Sequence, residues 1–389
     1  MPHDVISPRS GAVLLVVSAV TLSALIVVRR LLVNNKGAAA SSSTVRLLSV
    51  DEFKDHFKDI ASDLITTAQS VHELPVNEAG HLRRVMEYTV PGGKVNRGLT
   101  VVQVAQTLSC RPIENLRAVA ALGWAVEWLQ ASFLVADDMM DSSLTRRGAP
   151  CWYLVPGIGT TAINDSLLLL TQCELLLDRY LTAHPNFAMM RRILLETIYQ
   201  TELGQLMDLT TQPPGADKVN FELYTMDRYR HIVKYKTAFY SFVTPVRLGM
   251  LYAGLNDVDL HTRVTNVCLL MGEYFQIQDD VLDVYGAPEV IGKIGTDIQD
   301  AKCSWLVVTA RSIASKEQLA LLEANYGKHG AECIAKVKQV FSELRLEDKF
   351  EEYEKHTVQE LGRMIAEIPN EKAQLVCRGL LNKIYKRDK

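Results

Sequence analysis

The 389-residue sequence has no CxxC pair, no GxGxxG and no GxxxxGK, and nowhere do apolar and polar residues alternate over the length of a strand. The missing glycine motifs leave no dinucleotide fingerprint and no P-loop, and the missing alternation leaves no half-buried sheet. The seven cysteines are odd in number and scattered, which suits reduced thiols in a reducing compartment rather than a disulfide framework. The nine histidines are dispersed, so no His, Cys or Ser catalytic constellation stands out. Positive charge is also scarce, since the formal net charge is −3. The first fifty residues hold Arg9, Arg29, Arg30, Lys36 and Arg46 against Asp4 alone, so the rest of the chain is more acidic than the whole. An acidic body argues against nucleic acid as a partner, and any positive charge that binds phosphate must be local.

What is present is carboxylate in pairs. Asp137-Asp138-Met139-Met140-Asp141 and Asp279-Asp280-Val281-Leu282-Asp283 each place three aspartates in five residues, at the ends of the apolar runs 119–141 and 264–283. On a helix, positions i and i+4 share a face, so Asp137 pairs with Asp141 and Asp279 with Asp283, while Asp138 and Asp280 turn about 100° aside. Like charges one turn apart destabilise a helix unless something offsets them. Mg²⁺ suits the task, because it takes one or two carboxylates, keeps several waters and draws further ligands from substrate phosphates. One acidic pentad is usually a solvated helix end, but two of identical spacing on apolar helices point to a metal–diphosphate site. The glycine and Asn/Asp alternation of a Ca²⁺ loop is absent.

The chain divides into residues 1–48 and 49–389. Gly11–Val28 is an uncharged run of 18 residues. As a helix it spans about 27 Å, close to the thickness of a bilayer core. Arg29, Arg30 and Lys36 follow it, and by the positive-inside rule they leave the C-terminal body in the cytosol. The expectation is a membrane anchor followed by an Ala/Ser linker, with mitochondrial targeting as the alternative, since the segment is poor in acid and bears arginine. From residue 50 onward the pattern is helical almost throughout. The runs read 51–73, 78–89, 98–109, 114–141, 162–182, 187–211, 220–254, 261–285, 297–313, 316–325, 329–344, 347–367 and 370–385, an all-α domain.

Cations cluster near the aspartates. Gly92-Gly93-Lys94-Val95-Asn96-Arg97-Gly98 is a Gly-rich turn opening a helix, which presents free N–H groups and a positive dipole end to an anion. Arg146-Arg147 follows the first pentad, and arginine offers bidentate geometry to phosphate. Lys236-Thr237 lies inside a helical run, and Lys293 and Lys302 follow the second pentad. Each could be a solvated surface charge taken singly. Together they form two sets: Lys94, Arg97 and Arg147 for one diphosphate, and Arg146, Lys236, Lys293 and Lys302 for another.

At these residues the chain resembles the farnesyl diphosphate synthase family of all-trans short-chain prenyltransferases. DDMMDSSLTRRG, GGKVNRG, QIQDDVLD, VKYKTAFYS, TELGQLMDL and GKIGTDIQDAKCSW match the family's blocks, and the terminal KIYKRDK resembles its basic tail. The resemblance spans residues 50–389. It implies an isoprenoid-synthase helical bundle around a central active-site cavity, working as a homodimer. It also implies Mg²⁺, three ions per site, held by Asp137, Asp141 and Asp279, with Asp138 and Asp280 in the catalytic set. Arg146, Lys236, Thr237, Gln276, Lys293 and Lys302 would hold the allylic diphosphate, dimethylallyl or geranyl. Lys94, Arg97, Gln130 and Arg147 would hold isopentenyl diphosphate. The expected product is farnesyl diphosphate, with geranyl or geranylgeranyl diphosphate, or a derived terpene synthase, as alternatives. Two departures stand out. Farnesyl-forming members usually carry aromatics four and five residues before the first aspartate, where this chain has Phe133 and Ser132, so the chain-length floor is open on one side. Asp388 interrupts the basic tail.

Overall fold

Several helices begin where a side chain takes an amide group that the helix itself leaves unpaired. Ser49 opens α1 (Val50–Val71) with a capping box closed by Glu52. Pro75 precedes α2 (Val76–Thr89), and α3 runs Asn96–Leu108. Asn115 accepts the Ala118 N–H to start α4 (Leu116–Met140). A two-stranded hairpin, β1 Thr145–Arg146 and β2 Ala149–Pro150, then leads to α5 (Thr161–Leu181) and α6 (Phe187–Thr211). Next come α7 (Met226–Ile232), a π-helical stretch Val233–Val243 and α8 (Thr244–Tyr252). Asp257 caps α9 (Val258–Tyr285). The chain closes with α10 (Trp305–Ile313), α11 (Lys316–Asn325), α12 (Ala331–Glu343), α13 (Leu346–Ala366) and α14 (Glu371–Ile384). This computed structural model describes residues 46–213, 218–286 and 295–385. The 18-residue apolar run, Lys293 and the tail beyond Tyr385 lie outside the described residues.

The all-α expectation holds from Leu47 onward, where the chain is one compact unit. Helix α4 is its axis. It reads apolar all round, and every residue from Ala118 to Ser132 is buried, as such a helix must be. It is long and apolar enough to cross a membrane, yet lies inside the body. Trp124 stacks on Phe53 of α1 with centroids 4.6 Å apart and meets Trp128 edge-on. Such a pair adds about 0.5–1.5 kcal/mol beyond the area it buries. α3 crosses α4 at Gly98 and Gly123, where a Cβ on either would come within 2.7 Å and 2.5 Å of the other's carbonyl oxygen.

Two sequence expectations are corrected. The run 220–254 is not one α-helix, because Val233–Val243 winds wider, with the Thr244 N–H reaching Phe239 five residues back. Pro245, which has no N–H to donate, sits at the end of the wide turns. The run 297–313 becomes helical only at Trp305, and Lys302 is delivered by the turns before it. The Arg146-Arg147 segment, which lies between the predicted helical runs, forms a paired hairpin.

Candidate functional site

The first pentad behaves as its spacing predicts. Asp137 and Asp141 line a cavity of about 230 Å³ at the end of α4, together with Asp208 of α6, Lys236, Thr237, Gln276, Asp279, Asp280 and Lys302. Five parts of the chain thus converge on it. The lysines bridge the carboxylates. Lys236 Nζ is 2.6 Å from Asp208 and 3.1 Å from Asp137, and Lys302 Nζ is 2.6 Å from Asp141 and 3.5 Å from Asp208. Gln205, one turn before Asp208 on α6, donates to Asp137 at 3.0 Å. Burial pushes both pentad carboxyls up, but Lys236 and Lys302 outweigh it at Asp137 and hold that group below the usual range. At Asp141, burial and the charge of Asp137 prevail and raise it. The Asp137 and Asp141 charges thus oppose each other as the spacing predicts, and Lys236 and Lys302 each pair with one of them. Their own pKa values rise, because the surrounding carboxylates outweigh burial.

The position of Lys236 depends on glycine. A Cβ on Gly204 of α6 would lie 2.1 Å from the Lys236 backbone nitrogen, and one on Gly272 of α9 would lie 2.4 Å from Ala238 Cβ. The wide-wound stretch is gripped between two glycines, and α6 brings Asp208 in on the turn after Gly204.

The second pentad does not mirror the first. Asp279 and Asp280 line the cavity. Asp283 instead is buried and accepts the Asp297 N–H at 3.0 Å, so the expected Asp279–Asp283 pair is not presented together. Asp280 accepts from the Trp305 N–H at 2.7 Å, capping α10, and from Gln276 at 3.0 Å, while Thr237 donates to Gln276. Burial pushes its carboxyl up to about 7 against those hydrogen bonds. Asp138 is buried and held by the Arg146 guanidinium, whose Nε lies 3.0 Å away. Among the described residues no three carboxylates, imidazoles or thiols gather closely enough to enclose an ion by themselves. The donors are all hard carboxylate oxygens facing one cavity. That is the set Mg²⁺ accepts when waters and phosphates complete its shell.

The second cationic set meets in a separate cavity of about 390 Å³, lined by Lys94, Arg97, Gln130 and Arg147, with Ser241, Phe242 and Lys383. Arg97 donates to Ser241 at 2.8 Å and lies over the Tyr240 ring at 4.6 Å. The Gln130 amide joins Arg97, 2.7 Å away, to Glu127. Here the Gly-rich turn plays a different part from the one expected. The Gly98 N–H is not free, because the buried Glu127 carboxylate takes it at 2.7 Å. Gly92 and Gly93 instead make room for Arg147, whose Nε would lie 2.9 Å from a Cβ on Gly93. Val95 starts α3 at φ +46°, an uncommon conformation for a β-branched residue.

The expected floor is also different. Ser132 is buried and donates to the Ser166 carbonyl of α5 at 2.8 Å, so it faces a packed helix rather than open space. Phe133 sits edge-on to Tyr240, 6.4 Å away, close to the Arg97 cluster. Sequence reasoning passed over Asp208, Gln205, Glu127 and Ser241. The Gln205/Asp208 spacing in the apolar TELGQLMDL block is the signal that could have found the first two.

A family model described as Polyprenyl synthetase matches residues 79–344. Farnesyl pyrophosphate synthase of Gallus gallus is 45% identical over 343 residues, covering 87% of this chain and 92% of that one. The Saccharomyces cerevisiae farnesyl pyrophosphate synthase is 45% identical over 311 residues, covering 78% and 88%. The solved structure of T. brucei farnesyl diphosphate synthase complexed with risedronate superposes with a TM-score of 0.80 at 35% identity, covering 87% of this chain and 99% of that one.

Proposed function

The chain belongs to the polyprenyl synthetase family, and from that premise we propose that it joins isopentenyl diphosphate head to tail to dimethylallyl and then geranyl diphosphate, making farnesyl diphosphate. It is a prenyltransferase. The observation that carries the reading is two cationic cavities, one rich in carboxylates and one not, with Arg147 in the wall of the second and its neighbour Arg146 within 3.7 Å of Asp137 of the first. A terpene synthase on this fold needs no second diphosphate site, so the convergence of Lys94, Arg97, Gln130 and Arg147 speaks against that alternative.

Asp137, Asp141 and Asp279, with Asp208 beside them, would hold the Mg²⁺ ions, three by family expectation. When bound, they supply positive charge against the diphosphate being released. Lys236, Lys302 and Arg146 are paired with carboxylates in this structure. Allylic diphosphate binding exchanges those partners, so that the cations grip the diphosphate and stabilise the charge that grows as its C–O bond breaks. Arg97, Arg147 and Lys94 hold isopentenyl diphosphate with its double bond toward the allylic cation. The new C–C bond forms there and a proton is lost, with the departing pyrophosphate as the natural acceptor. The Thr237 hydroxyl and Gln276 amide lie beside the cation as dipoles without acting as strong nucleophiles, and the apolar side chains of Ile232 and Val233 in the cavity wall keep water away. The test is assay of the purified body with dimethylallyl and isopentenyl diphosphates and Mg²⁺, with product-length analysis. Failure to consume isopentenyl diphosphate would overturn the reading.

We propose further that the chain is a homodimer. Ile163, Leu167 and Leu175 of α5 and Leu195, Tyr199 and Leu206 of α6 are exposed apolar residues on neighbouring helices, a face suited to a second copy. Sedimentation equilibrium at the monomer mass would contradict this. We propose also that Gly11–Val28 anchors the chain in a membrane with the catalytic body cytosolic. Release of the intact chain by alkaline carbonate, or a processed form in a mitochondrial matrix fraction, would reject the anchor.

A further inference from the structure

The β1–β2 hairpin is a fork with one prong in the wall of the second cavity and the other beside Asp137, a carboxylate that lines the first. Its turn residues, Arg147 and Gly148, both have positive φ, 55° and 77°, as a tight two-residue connection requires. The turn sends the two arginines to different places. Arg146 reaches Asp138 and lies 3.7 Å from Asp137, while Arg147 lies across Gly92 and Gly93 in the wall of the second cavity. Strands of two residues each cannot hold themselves in place. What surrounds the hairpin must set where both arginines point.

Its base is closed by the Cys151 N–H on the Leu144 carbonyl at 3.0 Å and by the Tyr153 hydroxyl on the Ser143 carbonyl at 2.8 Å. The exit strand is then tied to two helices. The Tyr88 hydroxyl, at the end of α2, donates to the Pro150 carbonyl at 2.7 Å. The buried Trp152 ring packs 5.1 Å from the Tyr88 ring, and its indole N–H donates to Asp165 of α5 at 2.8 Å. Asp165 is buried, and its other oxygen bonds His81 Nε2, again at 2.8 Å, which returns the chain of contacts to α2. None of these residues enters either cavity.

We infer that Asp165, acting through Trp152, and Tyr88 are positioning residues for both diphosphates at once, because they hold the rigid fork that aims Arg146 at one and Arg147 at the other. This rests on the two-substrate reading of the site. Its signature is a parallel effect, unlike that of a residue belonging to one cavity.

The experiment measures KM for dimethylallyl and isopentenyl diphosphates, with kcat and thermal unfolding, for Tyr88→Phe and Asp165→Asn. Loss of one hydrogen bond in Tyr88→Phe should raise both KM values together, by about threefold to tenfold. Asp165→Asn should raise both further. Ile365→Val, in the separate core around α13 and α14, is the stability control: at a comparable loss of Tm it should leave both KM values in place. Should Asp165→Asn fail to fold, Tyr88→Phe decides, because its ring is partly exposed and Phe keeps the stacking. A KM change for one substrate only, or unmoved KM values with a fall in Tm like that of the control, overturns the inference while an active wild type leaves the functional reading intact. A wild type that does not condense the two diphosphates overturns both.

Discussion

The two aspartate pentads have the same spacing and different fates. In the first, Asp137 and Asp141 both face the cavity and only Asp138 turns away, to Arg146. In the second, Asp279 and Asp280 line the cavity, but Asp280 is also committed to capping α10, and Asp283 holds the Asp297 amide. A carboxylate at a helix end can neutralise a metal or satisfy a backbone N–H, and local sequence does not distinguish the two. The neighbour does. Past the first pentad lies a hairpin with arginines, whereas past the second lies a chain segment whose amides need acceptors.

Removing one member from each pentad should separate the two roles most strongly. Asp137→Ala should lower turnover by about a thousandfold or more with the fold retained, since it removes charge stabilisation made in the transition state. Chelation by EDTA should do the same to the wild type and be reversed by Mg²⁺. Asp283→Ala, by contrast, should cost about 1–3 kcal/mol of stability by orphaning the Asp297 amide, with turnover much less affected. Equal losses of turnover in the two variants would restore the symmetric picture.

Next in size is Asp208→Asn. It keeps the shape but leaves Lys236 and Lys302 sharing fewer charges, and turnover should fall about a hundredfold, the scale of losing one preorganised electrostatic partner. A rate near wild type would confine the working carboxylates to the pentads.

Smaller and more selective effects belong to the other cavity. Lys94→Ala and Arg97→Ala should raise KM for isopentenyl diphosphate by about tenfold to a hundredfold, as loss of a charge-assisted hydrogen bond would, and change KM for the allylic substrate little. Parallel changes would mean that the two cavities are not distinct in use.

The smallest effect concerns the helical turn below Asp137. Because Ser132 already bonds the Ser166 carbonyl, Ser132→Phe should act chiefly as overpacking, costing about 1–3 kcal/mol, and should not shorten the product. Phe133→Ala, next to Tyr240, should shift products toward longer chains. A shorter product from a normally stable Ser132→Phe would show that Ser132 does face the growing chain.

Much of the body was legible without coordinates, because its elements are long and periodic and begin at side chains with a chemical reason to be there. Ser49, Asn115, Asp257, Ser315 and Asn370 each accept an N–H at a helix start. The sorting of cations into two sets was legible too, since Lys94, Arg97 and Arg147 do meet in one cavity and Lys236 and Lys302 in another. The role of the glycines was not. Gly204 touches Lys236, 32 positions later, and Gly92-Gly93 receive Arg147, more than fifty positions later, so their purpose exists only between elements.

By itself the sequence determined where most of the helices lie, which faces are apolar and which residues carry charge, since these follow from periodicity over neighbouring positions. Tertiary structure alone decided which carboxylates face the cavity, which serve the backbone, and that one hairpin carries Arg146 to the first pentad and Arg147 to the wall of the other cavity. Those outcomes depend on unpaired amides and cations brought close by chain segments far apart in sequence, where burial makes an unmet partner costly.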